Sequence, residues 1–393
     1  MKEGWTYKKL GEVGSFIRGG GFLKRDFVEN GIPCIHYGQI HTILGSVTKE
    51  HLTSIPEALR TKTRFASKGD VIFAITSEDV EGSCKCTAWM GDYDVAVGGH
   101  AAIYKHSLNP VYVSLFAKSP VFNKAKEEFV HGFKVMEIKP ADIAKIEIPV
   151  PPLSEQQRIV SRLDAAFSHI DELKANAEKQ LSEARALFQK SLDKALCNKR
   201  WRQYTLNELC IQITDGTHKT PHYTDKGVPF LSVKNVTSGY IDMNNTRYIS
   251  EDEHRELIKR CKPEFGDILY TKVGTTGVAK VIDVKKEFSI FVSLALLKIK
   301  KELVSNKFLE YVLNSPYVYK QSQKLTSGAA NRNYLLNDIK KVELYIPHLS
   351  EQQRIVERLD ALSAHVRELE ENQKKIISEC DALKQALLRK VFE

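Results

Sequence analysis

The chain has 393 residues, 42% hydrophobic and 27% charged, the balance of an ordinary folded protein long enough for two or three cores. Its net charge of +9 favours polyanionic partners. No apolar run reaches the roughly 18 residues a membrane helix needs, and the opening MKEGWTYKKL lacks a signal-peptide core. The cysteines number seven and are scattered, which fits reduced thiols in a cytoplasm.

In chain order, a strand-rich stretch of about 150 residues comes first, broken by Gly, Pro and Asn, with GDVIFAIT (69–76) and VAVGGHAAIY (95–104) as its clearest strands. Residues 110–129 read as short helix, and 144–150 as an apolar alternating strand running into proline. A long helix follows. Ser154 with Gln157 has capping-box spacing, and the apolar steps are Ile159, Leu163, Ala166, Ile170, Leu173, Ala177, a polar Gln180, Ala184 and Leu187, with Leu181, Phe188 and Leu192 widening the face. The whole order then repeats. GDILYTKV (266–273) and FSIFVSLALLKI (288–299) are strands, 306–325 is helical, and 340–347 is the exit strand. Ser350 with Gln353 opens a second long helix with a seam of Ile355, Leu359, Leu362, Val366 and Leu369, broken at Gln373 and resumed by Ile376, Cys380, Leu383 and Leu387.

The repeat is explicit. LSEQQRIVSRLDA (153–165) and LSEQQRIVERLDA (349–361) are identical at twelve of thirteen positions, 196 residues apart. Trp5 and Trp201, Pro120 and Pro316, Gly132 and Gly328, and Asp142 and Asp338 share that offset. One unit is written twice, so the two copies can pack about a pseudo-twofold axis. Two helices of about 40 residues, each a rod of roughly 60 Å, must bury their seams, and the simplest partner for one is the other run antiparallel. The expected fold class is α+β: two pseudo-twofold-related, strand-rich domains (1–152 and 201–348) separated by two long antiparallel coiled-coil helices (153–200 and 349–393).

The thirteen-residue repeat, with SGAANRNYLLNDIKKVELYIPHLSEQQ (327–353) and DGTHKTPHYTDKGVPFLSVKNV (215–236), closely resembles the specificity subunit of Type I restriction-modification enzymes over the whole chain. SFIRGGGFLKRDFVENGIPCIHYGQI (15–40) departs from the pattern and keeps only GIP and a general outline. The resemblance implies a non-catalytic DNA-reading subunit with two target recognition domains, each reading half of a split target, and helices that set the spacing. It also implies two modification subunits, which use S-adenosylmethionine to methylate adenine N6, and two restriction subunits as partners. Residue chemistry agrees: the chain has no G-x-x-x-x-G-K-[ST] loop, no G-x-G-x-x-G opening a helix and no N/D-P-P-Y/F. A stand-alone methyltransferase or nuclease is the alternative a methyl-transfer assay excludes; a scaffold without DNA is the one that salt-dependent duplex binding excludes.

Base reading needs planar donor–acceptor pairs, and phosphate grip needs Lys, Arg, Ser, Thr and loop amides. In the first unit the loops so equipped are Arg18 to Arg25 with Lys24, Thr76 to Asp79 with Ser77, and Lys134. In the second they are Thr217–His218–Lys219, Lys272 to Thr276 with Thr275, and Asn331–Arg332–Asn333. Cys84 and Cys86, with His100, Cys34, His36 and His41, could be forced into a metal site. C-x-C is weak spacing with no counterpart in the second unit, so buried thiols are expected and no metal is assigned.

Overall fold

The computed structural model describes residues 4–325 and 333–393, and the chain divides into two compact units. The first comprises Met1–Ala177 with Lys374–Glu393; the second is Glu178–Gln373.

In the first unit, five strands lie in the order Gly14–Arg18, Ala101–His106, Val71–Ala74, Cys86–Trp89, Val47–Thr48, all antiparallel except the last pair. Val71–Ala74 is buried throughout, as expected of a central strand covered on both faces. A second sheet orders Thr53–Ile55, Ile32–Ile35, Val95–Val97 and Arg64–Ala66, with Ile32–Ile35 parallel to Val95–Val97. The exit strand Glu147–Val150 pairs with the entry strand Thr6–Lys9. Asn109 caps the helix Pro110–Ala117, Ser119 caps Pro120–Lys126, and each helix starts on a proline.

The second unit repeats this plan. Its sheets are Cys210–Asp215, Leu294–Ile299, Ile268–Thr271, Ala279–Val281 and Tyr223–Thr224, Arg247–Ile249, Val228–Leu231, Ser289–Ile290. Here the parallel pair, Val228–Leu231 with Ser289–Ile290, lies at one end of the second sheet, and Arg202–Thr205 pairs with the exit strand Glu343–Ile346.

The long helices span Leu153–Leu196 and Leu349–Phe392, and each gives one end to each unit. In the first unit Ile159 and Leu163 of one helix share a core with Leu388 and Phe392 of the other, and the Phe392 ring packs on Tyr112 and Phe116. Lys174 pairs with Asp381 at 2.8 Å and Asp171 with Lys384, so the segments run antiparallel. In the second unit Leu192, Leu196 and Leu359 join one core. Arg185 meets Glu370 at 2.7 Å, and Gln373 donates to Gln180 at 3.0 Å, again antiparallel. The amide pair is a polar layer in an apolar seam, a device that fixes register.

Ile159, Leu163, Ile170 and Leu359 are buried, and Ile355, Leu362, Val366 and Leu369 are half-buried, as the seam predicts. Leu173 is not part of it: it is 58% exposed, and Leu187 likewise turns outward. The cause is the mismatch between a seven-residue sequence repeat and 3.6 residues per turn. Measured from Ile170, Leu173 lies about 60° and Leu187 about 100° round the helix, while Lys174, Ala177, Leu181 and Phe188 stay within about 40°. Ile376 and Leu383 lie outside the second helix's seam in the same way.

The helix starts also differ from expectation. Each helix begins at the leucine before the serine, so Ser154 and Ser350 lie inside the first turn. The side chains that lock the starts are Gln156 and Gln352, both buried. Gln156 donates to the Pro151 carbonyl and accepts from Asn109 N–H at 2.8 Å. Gln352 donates to the Pro347 and Leu303 carbonyls and accepts from Ser305 N–H. Each ties the long helix to the cap of the short helix in its unit, which gives the repeated EQQ a physical reason.

Candidate nucleic-acid interface

Strand register brings the candidate loops together. In the second unit Asp215 ends its strand beside Ala295, and Thr271 ends the next strand beside Leu294, so the segments after both leave one end of the sheet. Gly216 makes the first exit possible: a Cβ there would lie 1.9 Å from the Ile290 carbonyl oxygen. Thr217 then bridges Phe291, and Asn333 bridges Val273.

Asp215 is the hub. It is 2% exposed and accepts from Lys272 Nζ at 2.8 Å, Arg260 Nη2 at 2.6 Å and His218 Nε2 at 3.1 Å. Burial alone would raise its carboxyl. The hydrogen bond and charge of Lys272, with the charges of His218 and Arg260, outweigh burial and hold it below the ordinary carboxylate value. The ammonium of Lys272 is thus committed inward, and Thr276 is buried too. Arg260 and His218 keep more than half of their side chains in solvent, and Lys219 and Thr275 are exposed. Arg260, His218 and Lys219, with Thr217 and Glu256, line a cleft of about 400 Å³. The outward cations and loop hydroxyls suit phosphate grip and guanine contact. Asn333 is exposed beside them; Asn331 and Arg332 lie outside the described residues.

The first unit builds the same three-way junction from different residues. Arg18 donates to the Gly99 carbonyl at 3.0 Å and pairs with Glu137 at 3.1 Å. Glu137 stands on Met136–Glu137, which pairs with Thr76–Ser77 on one side and His131–Gly132 on the other. Lys24 and Arg25 are exposed on a short 3₁₀ turn, Ser77 is half-buried, and Lys134 is exposed at the hairpin tip. A cleft of about 730 Å³ opens among Tyr37, His41, His100, Thr76–Asp79 and Val135. His41 Nε2 lies 2.9 Å from the Thr76 carbonyl. The Tyr37 ring sits between His36 and His100, 4.5 and 5.1 Å away. Burial lowers His36, and the charges of His100 and Lys24 add to this, so at neutral pH it is an uncharged ring.

Cys84 and Cys86 lie in the core, where burial pushes their thiols up to about 12 and about 11, so both are neutral packing groups. No cluster of three or more His, Cys, Asp or Glu able to hold a metal occurs among the described residues. Sequence reasoning missed Asp215, Arg260 and Tyr37. Asp215 stands in the quoted DGTHK, but Arg260 comes from 45 residues away, and only the fold joins them.

The model of the Type I restriction modification DNA specificity domain matches twice, over residues 2–183 and 198–379. The chain belongs to that family. Among similar proteins are the Type I restriction enzyme EcoKI specificity subunit of Escherichia coli K12, 23% identical over all of this chain and 89% of its own length, and the StySPI specificity subunit of Salmonella potsdam, 24% identical with the same coverage. Among solved structures, a chain from a study of assembly and conformational transition of the type I R-M system superposes with a TM-score of 0.80 at 20% identity, covering 99% of this chain and 97% of that one. The HsdS subunit of Thermoanaerobacter tengcongensis gives 0.61 at 21%, covering 100% and 97%. As a specificity subunit the chain is a non-catalytic DNA-recognition component, which sets aside the stand-alone enzyme and the scaffold without DNA. It works with methyltransferase and restriction subunits. No described helix is long and apolar enough to cross a membrane.

Proposed function

We propose that this specificity subunit reads a split DNA target, one half per unit, and directs methylation at adenine N6, and cleavage, by its partners. Residues 1–152 serve one half-site and 201–348 the other, while 153–200 and 349–393 act as spacer helices. Two modification subunits carrying S-adenosylmethionine and, in the full enzyme, two restriction subunits complete a cytoplasmic assembly. The observation that carries this reading is the recurrence in each unit of one face built from three segments: Arg18–Arg25, Thr76–Asp79 and His131–Glu137 in the first, and Thr217–Lys219, Lys272–Thr276 and Asn333 in the second. The same fold with different loop chemistry is what two readers of unlike half-sites require. The test is exchange of residues 201–347 for the matching segment of a relative, followed by mapping of methylated adenines in host DNA. One half of the motif should change and the other stay; a change in both, or no split motif, would overturn the reading.

A further inference from the structure

Phe133 has the highest exposure of any large apolar side chain among the described residues, at 94%. It stands at the tip of the hairpin joining His131–Gly132 to Met136–Glu137, with Lys134 beside it and Val135 next, 59% exposed. The hairpin is a built feature. Gly132 has φ +146°, and a Cβ there would lie 2.0 Å from the Val135 carbonyl oxygen, so the tight turn demands glycine. Its base is held by backbone pairing to Thr76–Ser77 and by the Arg18–Glu137 ion pair. An isolated exposed apolar residue is ordinary. An aromatic ring at the tip of a braced hairpin, with Lys134 beside it and Arg18 at its base, is placed for a partner that is anionic outside and apolar within.

Building on the DNA reading above, we propose that Phe133 is an apolar wedge that enters the duplex between two bases of the half-site read by the first unit. The stacked bases supply the apolar slot, and the flanking phosphates meet Lys134 and Arg18. The second unit has no aromatic in the corresponding stretch, SGAANRN (327–333), so the wedge belongs to one half-site only. A step that unstacks easily, a pyrimidine followed by a purine, would be preferred there, which gives selectivity at a position that no hydrogen bond reads.

The test uses the chain assembled with its modification subunits and duplexes bearing the methylated motif, with 2-aminopurine placed in turn at each step of the first half-site. The wild-type protein should raise fluorescence at one step. Phe133→Ala should abolish that rise and bind the matched duplex about 10- to 100-fold more weakly, in the range for losing one base-stacking aromatic, while discrimination at the second half-site stays intact. Because the ring is solvent-exposed, the alanine variant should fold and assemble normally. Unchanged affinity and fluorescence in Phe133→Ala would remove the wedge alone. Loss of assembly with the modification subunits before any DNA is added would make Phe133 a protein contact and overturn the wedge. A wild-type complex that bound the motif no better than a scrambled duplex would overturn the DNA reading and the wedge with it.

Discussion

Asp215 shows how a buried acid can serve a surface that meets a polyanion. A carboxylate at the rim would repel phosphate; buried beneath the rim, it aims Arg260 and His218 while hiding its own charge. Removing the charge leaves the Lys272 ammonium buried and unpaired, so Asp215→Asn should cost about 3–5 kcal/mol in the second unit by chemical denaturation, and Asp215→Asn with Lys272→Met should recover part of it. Because the folded carboxyl is held below its ordinary value, its contribution is present above about pH 4 and disappears as pH falls through the lowered value. The wild type should therefore lose stability on acidification more steeply than Asp215→Asn; parallel pH profiles would show that the hub is not coupled to folding. This residue also marks the limit of the sequence. Loop composition pointed to Thr217–Lys219 and to Lys272, but the inward commitment of Lys272 depends on a carboxylate 57 positions away, and nothing local to either residue records that pairing.

The long helices were more legible, because their periodicity is a local property of the chain. Their existence, direction of pairing and the polar break at Gln180 and Gln373 follow from apolar spacing and the need to bury it. Which leucines face inward does not follow, since small phase errors accumulate along forty residues, as Leu173 shows. The two registers make unequal forecasts. Leu359→Ala, at a site 2% exposed within the second unit's core, should cost about 2–5 kcal/mol. Leu173→Ala, 58% exposed, should stay within about 0.5 kcal/mol of wild type. Equal losses in thermal or denaturant unfolding would restore Leu173 to the seam. The strand-rich parts were legible as strands but not as a face, because the junction of Arg18, Ser77 and Glu137 is created by register across distant segments.

For the whole molecule, the consequence of writing one unit twice is that each long helix serves both cores: Ile159 and Phe392 in one, Leu192 and Leu359 in the other. Neither helix can change length alone without mismatching its partner, so on the proposed split-target reading the spacing between half-sites should respond only to paired changes. Seven residues inserted after Ala177 and seven after Gln373 keep each seam in phase, because seven residues close about two turns. They add about 10 Å to each helix, close to three base pairs at about 3.4 Å per step. The methylated motif of cells carrying this variant should keep both half-sites and widen its gap by about three base pairs. Five residues inserted at both points would rotate each seam by about 140°. That variant should lose methylation through failed pairing, with lowered cooperativity of unfolding as the sign. A seven-residue variant that methylates the original motif at the original spacing would mean that the helices do not set the gap.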